Sequence, residues 1–281
     1  MPADSARAPA ALVQRLVCVA CRFAPGGPSG VQARRGALVC RHCAARYPVD
    51  RQGTPDLRPA ASTAVLGDPA LEQRLFEQFL LAQDPAQAPT RWLSARLRGN
   101  TRLPAWIDHT LQRLGPVDGP ALELGCGPVG AGAVWRRHAA PVVLADVRPR
   151  SVAHAARVHR GDGQLATLVC DAHDPPFAAA SMGLVAALNL IDVSPQPWLL
   201  LGQLDALLRP GGRLVLALPY ADHLAGPAEL CSVLQGRHPG LPQLDYRLRA
   251  SRDGFTWAVP VHDRLVMVHR VHAVIADKRS A

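Results

Sequence analysis

Lysine is all but missing from this chain: of 31 basic residues only Lys278 is a lysine, and the rest are arginine. Aromatic residues are scarce at 5%, and no apolar run reaches the roughly 18 residues that a bilayer-spanning helix requires. The start has no charged-then-apolar pattern of the kind that directs secretion, so a soluble, cytoplasmic chain without membrane association is expected. Acidic residues are also too few to balance the arginines, which leaves a net charge of +9 and a pI of about 9.9. Excess positive charge can mark a phosphate-binding face. The arginine-for-lysine skew comes with abundant Ala, Pro and Gly, however, and reads equally well as a bias of composition. A length of 281 residues with 48% hydrophobic content permits one large core and one or two domains.

Seven cysteines without a secretion signal argue against a disulfide framework, and four of them form two pairs, Cys18-Val19-Ala20-Cys21 and Cys40-Arg41-His42-Cys43. Two thiolates separated by two residues can face one ion from a tight turn, and two such turns complete a tetrahedral shell. The pattern predicts a zinc site of Cys18, Cys21, Cys40 and Cys43. A closed shell of four sulfurs leaves no open position, so the metal should be structural. His42, between two ligands, is expected to face solvent.

The segment Ala121-Leu122-Glu123-Leu124-Gly125-Cys126-Gly127-Pro128-Val129-Gly130 carries the most chemistry. A short apolar strand runs into a turn whose glycines allow positive φ and close backbone approach to a ligand. The glycine spacing matches the dinucleotide fingerprint, but Glu123 stands two residues before the first glycine, where a pyrophosphate site has no use for an acid. An acid there suits a cationic ligand.

Four regions follow from the pattern. Residues 1–14, rich in Ala and Pro, are expected to be a disordered tail, and 15–58 a compact cysteine unit. Residues 59–116 read as a helical linker, with Leu71, Leu75, Phe76, Phe79 and Leu80 at helical spacing and a second group containing Trp92, Leu97, Trp106 and Leu111. Packing is the simplest role for these apolar residues, although Trp92 and Trp106 could line a pocket. From 117 to 281 strands alternate with helices: 121–125, 141–146, 165–171, 182–189 and 213–219, with helices near 131–138, 150–160 and 197–208. Ser194 is expected to cap the last helix, and Pro210-Gly211-Gly212 to stop it in a turn. Such alternation predicts a doubly wound α/β sheet. Two closing strands, 255–261 and 265–276, should pair as an antiparallel hairpin.

These segments carry two resemblances. The cysteine unit with its Tyr47-Pro48 and Gly53-Thr54-Pro55 tail resembles the zinc-ribbon domain of the activator protein of tRNA and protein methyltransferases. Residues 117–281 resemble the class I S-adenosylmethionine-dependent methyltransferases, a Rossmann-like fold with a seven-stranded sheet and an antiparallel last strand. The match lies in the acidic-x-Gly-x-Gly motif at 123–127, in Asp146 and Asp171 ending the second and third strands, in Asn189 ending the fourth, and in the turn before 213. The resemblance implies S-adenosylmethionine as cofactor, bound by Glu123, Gly125, Cys126, Gly127, Asp146, Val147, Asp171, Ala172 and Asn189. Asp146 would accept from the ribose and Asp171 from the adenine amino group.

Methyl transfer from a sulfonium can rest mainly on alignment, so a base is needed only if the acceptor must lose a proton first. Asp192, His173, Tyr220 and His262 are candidates. No Pro-Cys loop surrounds Cys126 or Cys170 and no Asn-Pro-Pro-Tyr stands at Asn189, which disfavours cytosine-C5 and adenine-amino methylation. The expected activity is methyl transfer to a small molecule or peptide, and 189–197 faintly resembles enzymes that methylate an imidazole nitrogen. Two alternatives remain open: an RNA-base methyltransferase, motivated by the basic ribbon (Arg22, Arg34, Arg35, Arg41, Arg46, Arg51 and Arg58), and a non-catalytic module whose ribbon docks a protein partner.

Overall fold

Short strands rich in β-branched and aliphatic residues build the centre of the molecule. A computed structural model describes residues 9–25, 27–59, 62, 69–219, 226–238 and 244–279. The cysteine unit begins with a single helical turn, α1 (Ala10–Val13), followed by β1 (Val31–Arg34), β2 (Ala37–Cys40) and β3 (Arg46–Pro48) in a three-stranded antiparallel sheet. The expected tail therefore needs correction at its inner end: Leu12 and Val13 are buried, because their apolar side chains complete the core beneath the ribbon.

Next come α2 (Pro69–Gln83), a 3-10 turn at Pro85–Gln87, α3 (Arg91–Leu97), a second 3-10 turn at Arg98–Thr101 and α4 (Arg102–Leu114). Thr90 caps α3, its hydroxyl accepting from the Leu93 N–H at 3.1 Å. Buried Leu103, Ile107 and Leu111 recur at helical spacing and seat α4 on the main sheet.

The main sheet contains β4 (Ala121–Leu124), β5 (Val142–Asp146), β6 (Leu165–Val169), β7 (Met182–Leu188), β8 (Leu208–Pro219), β9 (Tyr246–His262) and β10 (Leu265–Lys278). Between them run α5 (Gly132–Trp135), α6 (Pro149–Val158), α7 (Pro197–Leu207) and α8 (Pro227–Leu234). Strand order is β6-β5-β4-β7-β8-β10-β9, parallel from β6 to β8, with β10 antiparallel to both β8 and β9. The direction of winding reverses at β4, which puts its carboxyl end at the crevice where open α/β sheets bind ligands.

Two local expectations change. Pro210-Gly211-Gly212 lies inside β8 as a bulge, with register passing from Met182↔Leu208 to Leu184↔Arg213. Ser194 does not cap α7; its hydroxyl accepts from the Gln196 N–H at 3.1 Å, one residue before the helix begins. Among the described residues no helix is long and apolar enough to cross a membrane.

The ribbon packs directly on the main sheet. Asp56 forms a parallel bridge to Val169 of edge strand β6, with the Leu57 N–H donating to Val169 C=O and the Val169 N–H to Pro55 C=O, both at 2.9 Å. Leu57 is fully buried, and one continuous apolar cluster joins Leu16, Cys18 and Leu38 to Leu168, Phe177 and Leu122. Arg22 closes the seam with an ion pair to Asp174 at 2.6 Å.

Candidate active site

Close contact between backbone and side chains shapes the glycine loop after β4. Gly125 and Gly127 have φ of +72° and +62°, conformations that an L side chain resists. A Cβ on Gly125 would also lie 2.8 Å from Leu190 Cδ1. Among the described residues, the atoms nearest a Cβ on Gly127 belong to Gln83, at the end of α2, whose Oε1 accepts from the Val129 N–H at 3.1 Å.

Acidic side chains brace this loop. Glu123 Oε2 accepts from the Ala131 N–H at 2.8 Å and from the Trp135 indole N–H at 2.7 Å, tying strand to α5. Burial raises its carboxyl to about 7, against the opposing effect of those two donors. Asp146, at the end of β5, accepts from the Gly127 N–H on Oδ2 and from the Arg148 N–H on Oδ1, each at 2.9 Å. Burial raises its pKa too, and the two amides work in the opposite direction. The Cys126 N–H donates to Ala145 C=O at 3.0 Å, and its thiol is buried and pushed well up by desolvation, as expected of a small packing residue.

A second group forms beyond β6. Asp171 Oδ1 accepts from the His173 N–H at 2.8 Å and meets the ring at Nδ1, 3.0 Å away, while Oδ2 accepts from the Ser62 hydroxyl. Burial would raise this acid, yet Ser62 and His173 prevail and hold it below its usual value. The other ring nitrogen of His173 lies 2.7 Å from Ser194 Oγ. Val147, next to Asp146, accepts from the Arg58 guanidinium through its carbonyl at 3.3 Å. Asn189 has a φ of +53°, its N–H donates to Ala217 C=O at 2.6 Å, and its buried side-chain Oδ1 has no partner among the described residues.

The structure thus gathers 123, 125–127 and 146 in one bonded loop, and 171 with His173 in another. Ala172 is half-buried beside Asp171, and Asp192 is half-buried in the loop after β7. His262 ends β9, where its Nδ1 accepts from the Arg264 N–H at 3.2 Å, a turn role. Tyr220 lies outside the described residues. Gln83, Ser62 and Arg58 had no sequence signal, because each reaches the site from a distant element, and Trp135, on the helix just after the loop, belongs to no spacing rule.

The four cysteine sulfurs all lie within 4.8 Å of one another. Cys18 and Cys43, and likewise Cys21 and Cys40, are 3.6 Å apart; sulfurs about 2.3 Å from a tetrahedral zinc would be separated by about 3.8 Å. The donor set therefore fits that ion. His42 is not among the four and offers only its backbone N–H, to Cys40 Sγ at 3.3 Å. Burial opposes a Cys40 thiolate, but the N–H groups of Cys43 and His42 outweigh it and lower the thiol to about 6. Cys21 is pushed up to about 12 by burial and neighbouring thiols. Tyr47 supports the cluster, its hydroxyl 3.0 Å from Cys18 Sγ and accepting from the Ala20 N–H at 3.2 Å.

Residues 122–216, from the glycine loop through β8, match the family described as "Methyltransferase domain". These residues carry a methyltransferase domain, set in a sheet of the Rossmann-like methyltransferase kind. The chain is 23% identical over 214 residues to an uncharacterized methyltransferase of Mycobacterium sp. (strain JLS), covering 71% of this chain and 82% of the relative. A malonyl-[acyl-carrier protein] O-methyltransferase of Alcanivorax borkumensis is 35% identical over 147 residues, 48% of each chain. Among solved structures, the N-methyltransferase NodS of Bradyrhizobium japonicum aligns with a TM-score of 0.47 at 15% identity, over 65% of this chain and 88% of that one.

Proposed function

We propose that this methyltransferase acts on a small-molecule or peptide acceptor and that its ribbon holds a structural zinc. The supporting observation is the bonded loop of Glu123, Gly125, Gly127 and Asp146 at the reversal point of the sheet. It combines two positive-φ glycines with buried acids, an acceptor set suited to a ligand that carries positive charge and a ribose. Asp146 is the residue to hold the ribose, and Asp171, kept ionised by Ser62 and His173, the one to accept from the adenine amino group. When bound, the cofactor supplies a methyl group on sulfonium that leaves by in-line displacement. Gly125 and Gly127 permit close approach, and Leu190 and Gln83 cover the loop.

Asn189 bears on the acceptor. A buried carbonyl oxygen without a partner requires a donor. The cofactor's ammonium or an N–H on the acceptor supplies one, which is consistent with a nitrogen acceptor such as imidazole. His173, held between Asp171 and Ser194, is the best-placed proton carrier among the described candidates. The basic ribbon gives less support to an RNA substrate than its sequence did. Arg22 is committed to Asp174 and Arg58 to Asp56 and Val147, so both serve the seam between ribbon and sheet. Four thiols that must stay reduced suit the cytoplasm.

Calorimetric titration with S-adenosylhomocysteine tests the cofactor site. Binding is expected in the wild type and should weaken by about 10- to 100-fold in Asp146→Ala, the equivalent of roughly 1.4–3 kcal/mol for charged hydrogen bonds lost. Equal affinity in the two proteins would remove Asp146 from the site.

A further inference from the structure

A groove of about 430 Å³ lies outside the cofactor loop, between α3, the turn after it, the start of α4 and the outer part of the closing hairpin. Arg96, Arg98 and Arg102 form one wall; Thr256, Ala258 and Val268 form the other. The charge here is one-sided. Residues 85–107 contain four arginines and no acidic residue, and the hairpin strands facing them carry no acid over 254–262 or 265–269. Among the described residues none of the three guanidiniums has a carboxylate partner: Arg98 reaches only Ser94 Oγ, at 3.5 Å, and Arg96 lies over the Trp92 ring at 5.7 Å. Arg22, Arg137 and Arg213, by contrast, are each matched to an acid, Asp174, Asp108 and Asp277.

Topology puts this groove on the catalytic edge of the sheet. Parallel strand β8 ends at Pro219, which pairs with Val271 of β10. Residues 265–270 and their β9 partners, among them Ala258 opposite Val268, therefore extend past the edge at which Gly125, Asp146 and Asp171 stand. Asn100 joins the two places physically. Its Nδ2 donates to Ala82 C=O at 2.6 Å and Ala258 C=O at 2.9 Å, and its Oδ1 accepts from the Ala258 N–H at 2.7 Å. Ala82 precedes Gln83, the residue bonded to the glycine loop. One side of the clamp thus touches the groove, and the other holds the residue next to Gln83.

We propose that the Arg96–Arg98–Arg102 groove binds the anionic end of the methyl acceptor, a carboxylate or phosphate attached to an apolar body. Three guanidiniums supply forked donors for such an oxyanion. Ala258 and the exposed side chain of Val268 offer apolar surface beside it. The proposal rests on the methyltransferase reading only in calling the ligand an acceptor.

Calorimetry on the full chain, in about 0.1 M chloride, would use inorganic pyrophosphate and citrate as phosphate and carboxylate probes. At least one is expected to bind, and the tighter of the two identifies the anion class. Arg98→Gln combined with Arg102→Gln should weaken that binding at least tenfold. Val268→Asp, which leaves every arginine in place and adds a charge to the opposite wall, should do the same. Affinity for S-adenosylhomocysteine should stay within twofold in all variants, so a failure here is separable from a failure of the cofactor site. Absence of binding by both probes, or binding that the variants leave unchanged, overturns the proposal. So does tight, steeply salt-dependent binding of a single-stranded RNA oligomer when neither small anion binds, which would assign the groove to nucleic acid.

Discussion

Glu123 shows how one side chain can carry both packing and charge. It is buried on β4, its Oε2 takes two donors, and its carboxyl is raised to about 7 chiefly by desolvation. An acid that binds its proton more tightly in the folded protein contributes stability that is present at low pH and lost as the pH rises. The window runs from its ordinary value of 4.5 to about 7, and each pH unit of that window corresponds to about 1.4 kcal/mol. The melting temperature should therefore fall between these pH values and level off above them. Asp146, raised in the same sense, adds to the trend. Glu123→Gln keeps an acceptor for Ala131 and Trp135 but cannot ionise, so its melting temperature should vary less with pH and exceed the wild type's above pH 7. A mutant curve parallel to the wild type's would show that Glu123 is not the titrating group. A cationic ligand near this carboxyl should also release a proton on binding around neutral pH, which calorimetry in buffers of different ionisation enthalpy would detect.

Elements were legible in the sequence where periodicity and turn chemistry agreed. The alternating apolar strands, the two cysteine turns and the acids at strand ends could be placed because each is a local pattern. Pro210-Gly211-Gly212 misled, since the same residues that stop a helix can also form a bulge, and only pairing of β8 with β7 chooses between them. Gln83, Ser62 and Asn100 could not be found because their partners are remote in sequence and none belongs to a spacing rule. Asn100 is the clearest case. It makes three hydrogen bonds to the backbones of α2 and β9, and its loss would leave partly buried amide and carbonyl groups unsatisfied at about 1–3 kcal/mol. Asn100→Ala should speed hydrogen exchange of the Ala258 N–H well beyond any change in the β4–β5 core. Unchanged protection at Ala258 would mean that packing alone holds β9 against α2.

At the scale of the whole molecule, the question is whether the ribbon is an appendage or part of the enzyme. Its apolar residues belong to the same cluster as those of β4 to β7, Leu57 is fully buried between them, and Ser62, shortly after the ribbon, bonds to Asp171. Four thiols gathered within 4.8 Å depend on a cation to hold them once ionised, and a structural zinc contributes directly to folding free energy. Removing the proposed zinc with a chelator should therefore destabilise the main sheet as well as the ribbon. Wild-type protein is expected to melt in one cooperative transition, and the stripped protein in one transition at lower temperature. Leu57→Ala offers a control that leaves the metal ligands intact. Truncating a buried leucine costs about 2–5 kcal/mol, so this variant should also lower the single transition while retaining one zinc per chain by elemental analysis. Both treatments should weaken S-adenosylhomocysteine binding, because Arg58 and Ser62 reach Val147 and Asp171 from the ribbon side. If chelation produced a separate early transition and left the main one and the affinity unchanged, ribbon and sheet would be independent units, and the shared core would carry no coupling.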